Sequence, residues 1–149
     1  MSNPLLERHE LPPFAEIKAE HVVLAVDQIL AENRQRISQL LDQENFSWVS
    51  FVQPMEELED RLQQAFSPVS HMNSVVNTPE MRDAYNDILP KLSEYNTELG
   101  QNKALYEAYH AIKVSDEYEQ LDQAQKKALD NALRDFKLSG IDLPEEQKQ

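Results

Sequence analysis

The sequence contains no cysteine, which removes disulfides and thiolate metal sites together. Glycine occurs only twice in 149 residues, at Gly100 and Gly140. Hairpin turns therefore have few hosts, and the abundant Leu, Ala, Glu, Gln and Lys favour helix. Basic residues are also few, with 14 Lys plus Arg against 27 Asp plus Glu and a net charge of −13. A field of that sign repels phosphate backbones and anionic lipid. The densest basic run is Lys126-Lys127, so neither nucleic acid nor a membrane surface is expected as a partner. No apolar run approaches the roughly 20 residues that span a bilayer, and the opening MSNPLLERHELPPF lacks the apolar core of a signal peptide. A cytoplasmic location is the expectation.

What is present is helical periodicity. The fold class is read as all-α: an amphipathic helical bundle of about five helices in a single domain over residues 1–149, of a length that buries roughly two-thirds of its unfolded surface. Pro4, Pro12 and Pro13 make residues 1–17 an extended arm, and its Leu5, Leu6, Leu11 and Phe14 suggest that it lies against the body. A first long helix is predicted over Ala19 to Gln43, from Val22, Val26, Ile29, Leu30, Ile37, Leu40 and Leu41.

The next segment contains the stretch FSPVSHMNSVVNTPEMR, from Phe66 to Arg82, whose proline, histidine and small polar residues could belong to a binding loop. Yet Phe51, Met55, Leu58, Leu62, Ala65, Val69, Met72 and Val76 keep alternating steps of four and three straight through it. A loop has no reason to hold that register, so one long helix is predicted, kinked at Pro68. Thr78 as N-cap, Pro79 at the first helical position and Glu80 beside it start the next helix. Met81, Tyr85, Ile88, Leu92, Tyr95 and Leu99 form its stripe across Pro90. Two long stripes joined by a tight turn make a kinked antiparallel helical hairpin. Shorter helices follow through Leu105, Ala108, Tyr109 and Ile112, and, after a capping box of Asp122 with Gln125, through Ala128, Leu129, Ala132, Leu133 and Phe136. Ser139-Gly140 is a stop, and residues 141–149 read as the start of a truncated further helix.

Chemistry is sparse. A helical zinc site needs two histidines three or four residues apart, with a carboxylate nearby. His9, His21, His71 and His110 are too scattered, and His9-Glu10 runs into Leu-Pro-Pro. No nucleophile motif or phosphate loop is present. No catalytic and no metal-ligating residue is assigned, and no cofactor is expected in the chain itself. His71, flanked by Ser70 and Asn73 on the polar side of the kinked helix, is the best single candidate and is read mainly as a hydrogen-bonded structural histidine.

FSPVSHMNSVVNTPEMRDAY with the following LPKLSEY, NPLLERHELPPFAEIKAEHV near the start, ALYEAY at 104–109 and QKKALDNALRDFKLSGIDLP at 125–144 together resemble the amino-terminal region of the thimet oligopeptidase family of zinc metallopeptidases. The likeness spans essentially the whole chain. It implies a non-catalytic amino-terminal lobe of a longer enzyme that degrades short peptides, a lobe forming part of the channel wall that restricts substrate size, with Ser70, His71 and Ser74 on the polar side of the kinked helix as the candidate substrate-channel face. Zinc is implied for the parent, held by a His-Glu-x-x-His helix that has no counterpart here, so the chain alone is expected to be inactive. Its implied partners are the remainder of the parent and, through it, short peptides. Self-association of the excised lobe is also expected, through apolar surface that normally meets the rest of the enzyme. The alternative is a free-standing helical module that binds a partner helix or peptide along its heptad stripes.

Overall fold

A computed structural model describes residues 2–147. The regular structure among them is helical only: α1 (Ala19–Leu41), α2 (Gln53–Val75), α3 (Pro79–Gly100), α4 (Lys103–Lys113), the single-turn α5 (Glu117–Gln120) and α6 (Gln123–Leu138), with short 3-10 turns at Pro4–Leu6, Phe14–Glu16 and Glu145–Gln147. The all-α class holds. The described residues form two compact units, one comprising residues up to Arg36 with Glu56–Glu94, the other Ile37–Met55 with the residues from Tyr95 onward.

In the first unit, each long helix buries one stripe. Val22, Ala25, Val26, Ile29 and Leu30 of α1, Leu62, Ala65, Val69 and Met72 of α2, and Met81, Ala84 and Ile88 of α3 are all buried. The spacing of three and four puts each set on one helix face. Pro68 and Pro90 lie inside α2 and α3, which continue past them. At the end of α2, Asn77 adopts a left-handed φ of 46°, the backbone N–H groups of Val76 and Asn77 both donate to Met72 O, and the chain reverses. Asparagine tolerates that conformation better than most residues. Thr78 Oγ1 then accepts from Met81 N at 3.2 Å, capping α3 as the Thr-Pro-Glu sequence predicts. Past the turn, the Phe66 and Tyr85 rings stack with centroids 6.0 Å apart.

Val76 is the exception to the expected stripe. Although in register, it is 53% exposed, because α2 ends at Val75 and the reversal at Asn77 carries the next residue off the buried face.

The arm is tied to α1 by Asn3, whose Nδ2 donates to His21 O at 2.9 Å while its Oδ1 accepts from Leu5 N. Pro4, Leu5 and Ile17 are buried, so part of the arm's apolar content is out of water.

The second unit is built on aromatic contacts. Phe51, fully buried, meets Phe46 and Tyr109 edge to face at 5.1 and 5.2 Å, and Tyr109 lies 5.7 Å from Phe136. These geometries favour the ring quadrupoles. Phe51 belongs to a π-helical turn, Trp48–Val52, that opens with a Ser47/Ser50 capping box. Glu117 of α5 accepts from Trp48 N through both carboxylate oxygens at 3.3 Å. The apolar stripe from Phe51 predicts a single regular helix here, whereas the structure opens it with this π-helical turn and begins α2 at Gln53. Asn102 caps α4, and the expected Asp122/Gln125 capping box opens α6. Gly140 ends it at φ 85°, a left-handed conformation that glycine alone adopts at no steric cost. Gly100 is required for a different reason, since a Cβ there would come within 2.7 Å of Ser139 Oγ.

Lys113, Tyr118 and Asp130 close a polar triangle over α4, α5 and α6. Lys113 Nζ donates to Asp130 Oδ1 at 2.6 Å and to Tyr118 Oη at 2.8 Å, and Tyr118 Oη donates to Asp130 Oδ2 at 3.0 Å. The hydrogen bond from Lys113 holds the Asp130 carboxyl below its ordinary range, and the hydrogen bond to Asp130 raises Lys113.

Phe51→Ala leaves a void between rings and is expected to cost about 3–5 kcal/mol in denaturant unfolding; a cost below about 1 kcal/mol would mean the site collapses freely. Because Asp130 is depressed in the folded state, its contribution is present above the ordinary aspartate pKa and is lost as pH falls through the folded value. The gap between the native chain and Asp130→Asn should therefore be at most about 1 kcal/mol near neutrality, given solvent screening, and should close in acid. A gap that widens in acid would contradict this assignment.

Candidate functional site

Helix α2 carries the candidate face. With Leu62, Ala65, Val69 and Met72 turned inward, the opposite side is dictated by the same 3.6-residue period. Asp60, Gln63, Gln64, Ser67, His71 and Ser74 occupy it and are exposed, and Ser70 at its edge is half-buried. The structure thus brings Ser70, His71 and Ser74 onto one continuous polar stripe. Ser74 Oγ donates to Ser70 O at 3.1 Å, the local back-bonding that small hydroxyl residues make inside helices. The His71 ring sits 5.5 Å from Phe14 of the arm at 51°. That contact was not visible in the sequence, because 57 positions separate the two residues and nothing in the period of either segment links them.

Toward the amino end of the same stripe the arm stands off from α2 and leaves an open groove of about 440 Å³, between residues 4–17 on one side and Asp60, Gln63, Gln64, Ser67 and Pro68 on the other. Sequence reasoning missed this groove entirely. The turns that shape it, at Pro4–Leu6 and Phe14–Glu16, rest on the tether from Asn3 to α1, which no local pattern announces.

The four histidines are each engaged by near neighbours or rings. His9 Nε2 donates to Pro4 O at 3.0 Å, and His21 Nδ1 accepts from Lys18 N at 3.0 Å at the start of α1. His71 meets Phe14, and His110 stacks on Tyr106 at 6.0 Å. The described residues gather no group of three His, Cys, Asp or Glu side chains able to hold a metal ion. None of their helices is long and apolar enough to cross a membrane. What the α2 face offers is shape, hydroxyls, amides and negative charge: contact chemistry for a ligand, with no nucleophile beside a base.

Comparison with known proteins points to one family. The chain is 53% identical over 149 residues to oligopeptidase A of Haemophilus influenzae and 51% identical over 150 residues to oligopeptidase A of Escherichia coli, in each case across all of this chain and 22% of the relative. A probable cytosolic oligopeptidase A of Arabidopsis thaliana is 31% identical over 148 residues, covering 99% of this chain and 21% of that protein. The chain therefore spans about a fifth of the length of these relatives. A family model for the neurolysin/thimet oligopeptidase N-terminal domain matches residues 26–148. By that match, and in accord with the strings from 66 to 95 and 125 to 144, the chain belongs to the neurolysin/thimet oligopeptidase N-terminal domain family.

Proposed function

We propose that this chain is the non-catalytic amino-terminal lobe of a cytoplasmic oligopeptidase A-type zinc endopeptidase, and that it forms part of the wall of a channel admitting short peptides and excluding folded proteins. The observation that carries the reading is identity over the full length of the chain to one region of proteins named oligopeptidase A. The donor set supports the division of labour. With no group of three His, Cys, Asp or Glu side chains gathered among the described residues, the residues present do not fit a zinc site. The metal of the parent belongs to another part of its chain, and no chemical step is assigned to this one.

A wall contributes by exclusion and positioning. Keeping bulk water and folded chains away from a reaction centre, and holding an extended peptide in one orientation, lower the barrier without any reacting group on the wall itself. The stripe of Ser70, His71 and Ser74 on α2, half-buried at Ser70 and exposed at the other two, is the face proposed to line the channel. Its short side chains present hydroxyl and imidazole groups to a passing backbone while the helix behind them is fixed by its buried stripe.

Two measurements test this reading. The 149-residue chain alone is expected to retain no zinc after dialysis and to leave a quenched fluorescent octapeptide uncut; hydrolysis above background that disappears with chelator would refute the non-catalytic assignment. In the full-length enzyme that carries this region, Ser74→Trp should narrow the channel and lower kcat/KM for the longest peptides cut by about tenfold, and for the shortest by less than about twofold, with zinc content unchanged. An equal effect on all lengths, or none, would take this face out of the channel.

A further inference from the structure

The groove between the arm and α2 has a chemistry of its own, and it does not depend on the channel reading. Its floor is apolar: Pro4, Leu5, Ile17 and Pro68, all buried residues, line it. Its rim is acidic, with Glu7 and Glu10 on the arm and Asp60 on α2. All three carboxylates are exposed. Among the described residues, no lysine or arginine pairs with any of them. Asp60 has one oxygen engaged, accepting from Gln64 Nε2 at 2.8 Å. The chain as a whole is net negative, at −13. The volume of about 440 Å³ lies within the roughly 300–1,000 Å³ usual for ligand sites.

The arm's backbone contributes a second feature. Of the arm residues that line the groove, His9 and Glu10 have backbone N–H groups that make no intramolecular hydrogen bond among the described residues. An extended peptide laid alongside can accept from such groups, as in recognition by strand addition. An apolar floor, an acidic rim and free backbone donors together select an occupant with an apolar side chain, a neighbouring cation and backbone carbonyls.

We propose that this groove binds a short cationic peptide segment, a Leu or comparable aliphatic side chain seated against Leu5, Ile17 and Pro68, and an adjacent Lys or Arg held by Glu7, Glu10 and Asp60. A small polycation satisfies the rim but not the floor, and a neutral apolar peptide satisfies the floor but not the rim.

The test is a titration of the isotopically labelled 149-residue chain with acetyl-Leu-Lys-Leu-Lys-amide, followed by amide chemical shifts. Saturable changes are expected at residues 5–13 and 60–68, with little change elsewhere. The acetyl-Leu-Glu-Leu-Glu-amide peptide and spermine should each bind at least about tenfold more weakly, and so should the lysine peptide to the triple variant Glu7→Gln, Glu10→Gln, Asp60→Asn, since a few exposed pairs sum to about that factor. These side chains are exposed, so the variant's spectrum away from the groove reports that it is folded. Equal binding of the two peptides, equal binding of spermine, shifts centred on another surface, no saturable shift at all, or broadening that reports association of two chains through this face would each overturn the proposal. Because no hydrolysis is measured, the result is independent of whether the parent is a peptidase.

Discussion

Helix α2 can hold Asp60, Ser67, His71 and Ser74 in one row toward solvent only because Leu62, Ala65, Val69 and Met72 are taken out of water on the other side. Four side chains of that size, buried, contribute several kcal/mol at about 25 cal/mol per Å² of apolar area. That is enough to outweigh the hydrogen bond that Pro68 removes from the helix, which with the ring's crowding costs about 3 kcal/mol. The comparison explains why the stripe runs through the proline without a change of register. It also explains why polar residues that would favour a loop in isolation, Ser67, Ser70, Asn73 and Ser74, are helical here. Tertiary burial overrides their local preference.

The same constraint fixes where the chain must turn. Once the α2 stripe ends at Met72, nothing holds Val75 or Val76 down, and both are exposed. The reversal at Asn77, with the Thr78 cap, starts α3. In the other unit the ring contacts of Phe46, Phe51, Tyr109 and Phe136 take the place of aliphatic stripes. Salt bridges play a lesser part in both units. Arg61–Glu32 at 2.5 Å and Lys91–Asp27 at 2.6 Å are partly exposed pairs, of the kind worth up to about 1 kcal/mol each.

Much of this could be read from residue spacing. Periods of three and four located α1 to α4 and α6, and the Thr78-Pro79-Glu80 and Asp122/Gln125 signals placed two helix starts where the structure has them. These features are local, decided within one or two turns. What escaped the sequence reading depends on distant partners. Glu117 caps a π-helical turn 69 positions away, Lys113 finds Asp130 on another helix, and Phe14 reaches His71. Ser70, His71 and Ser74 were legible as one face because a helix enforces it. The groove beside them was not, since its two walls are separate segments brought together by the Asn3 tether to His21 O.

Function within a larger peptidase, and not alone, is the proposal on which the rest depends. Its most direct test is to capture the native protein from its source with an antibody against residues 60–75 and to measure intact mass and peptide hydrolysis on the captured material. The expected result is a single species several times longer than 149 residues, with chelator-sensitive cleavage of short peptides and no cleavage of folded proteins. A captured species of 149 residues that cuts nothing would contradict it, and would leave partner capture as this chain's work.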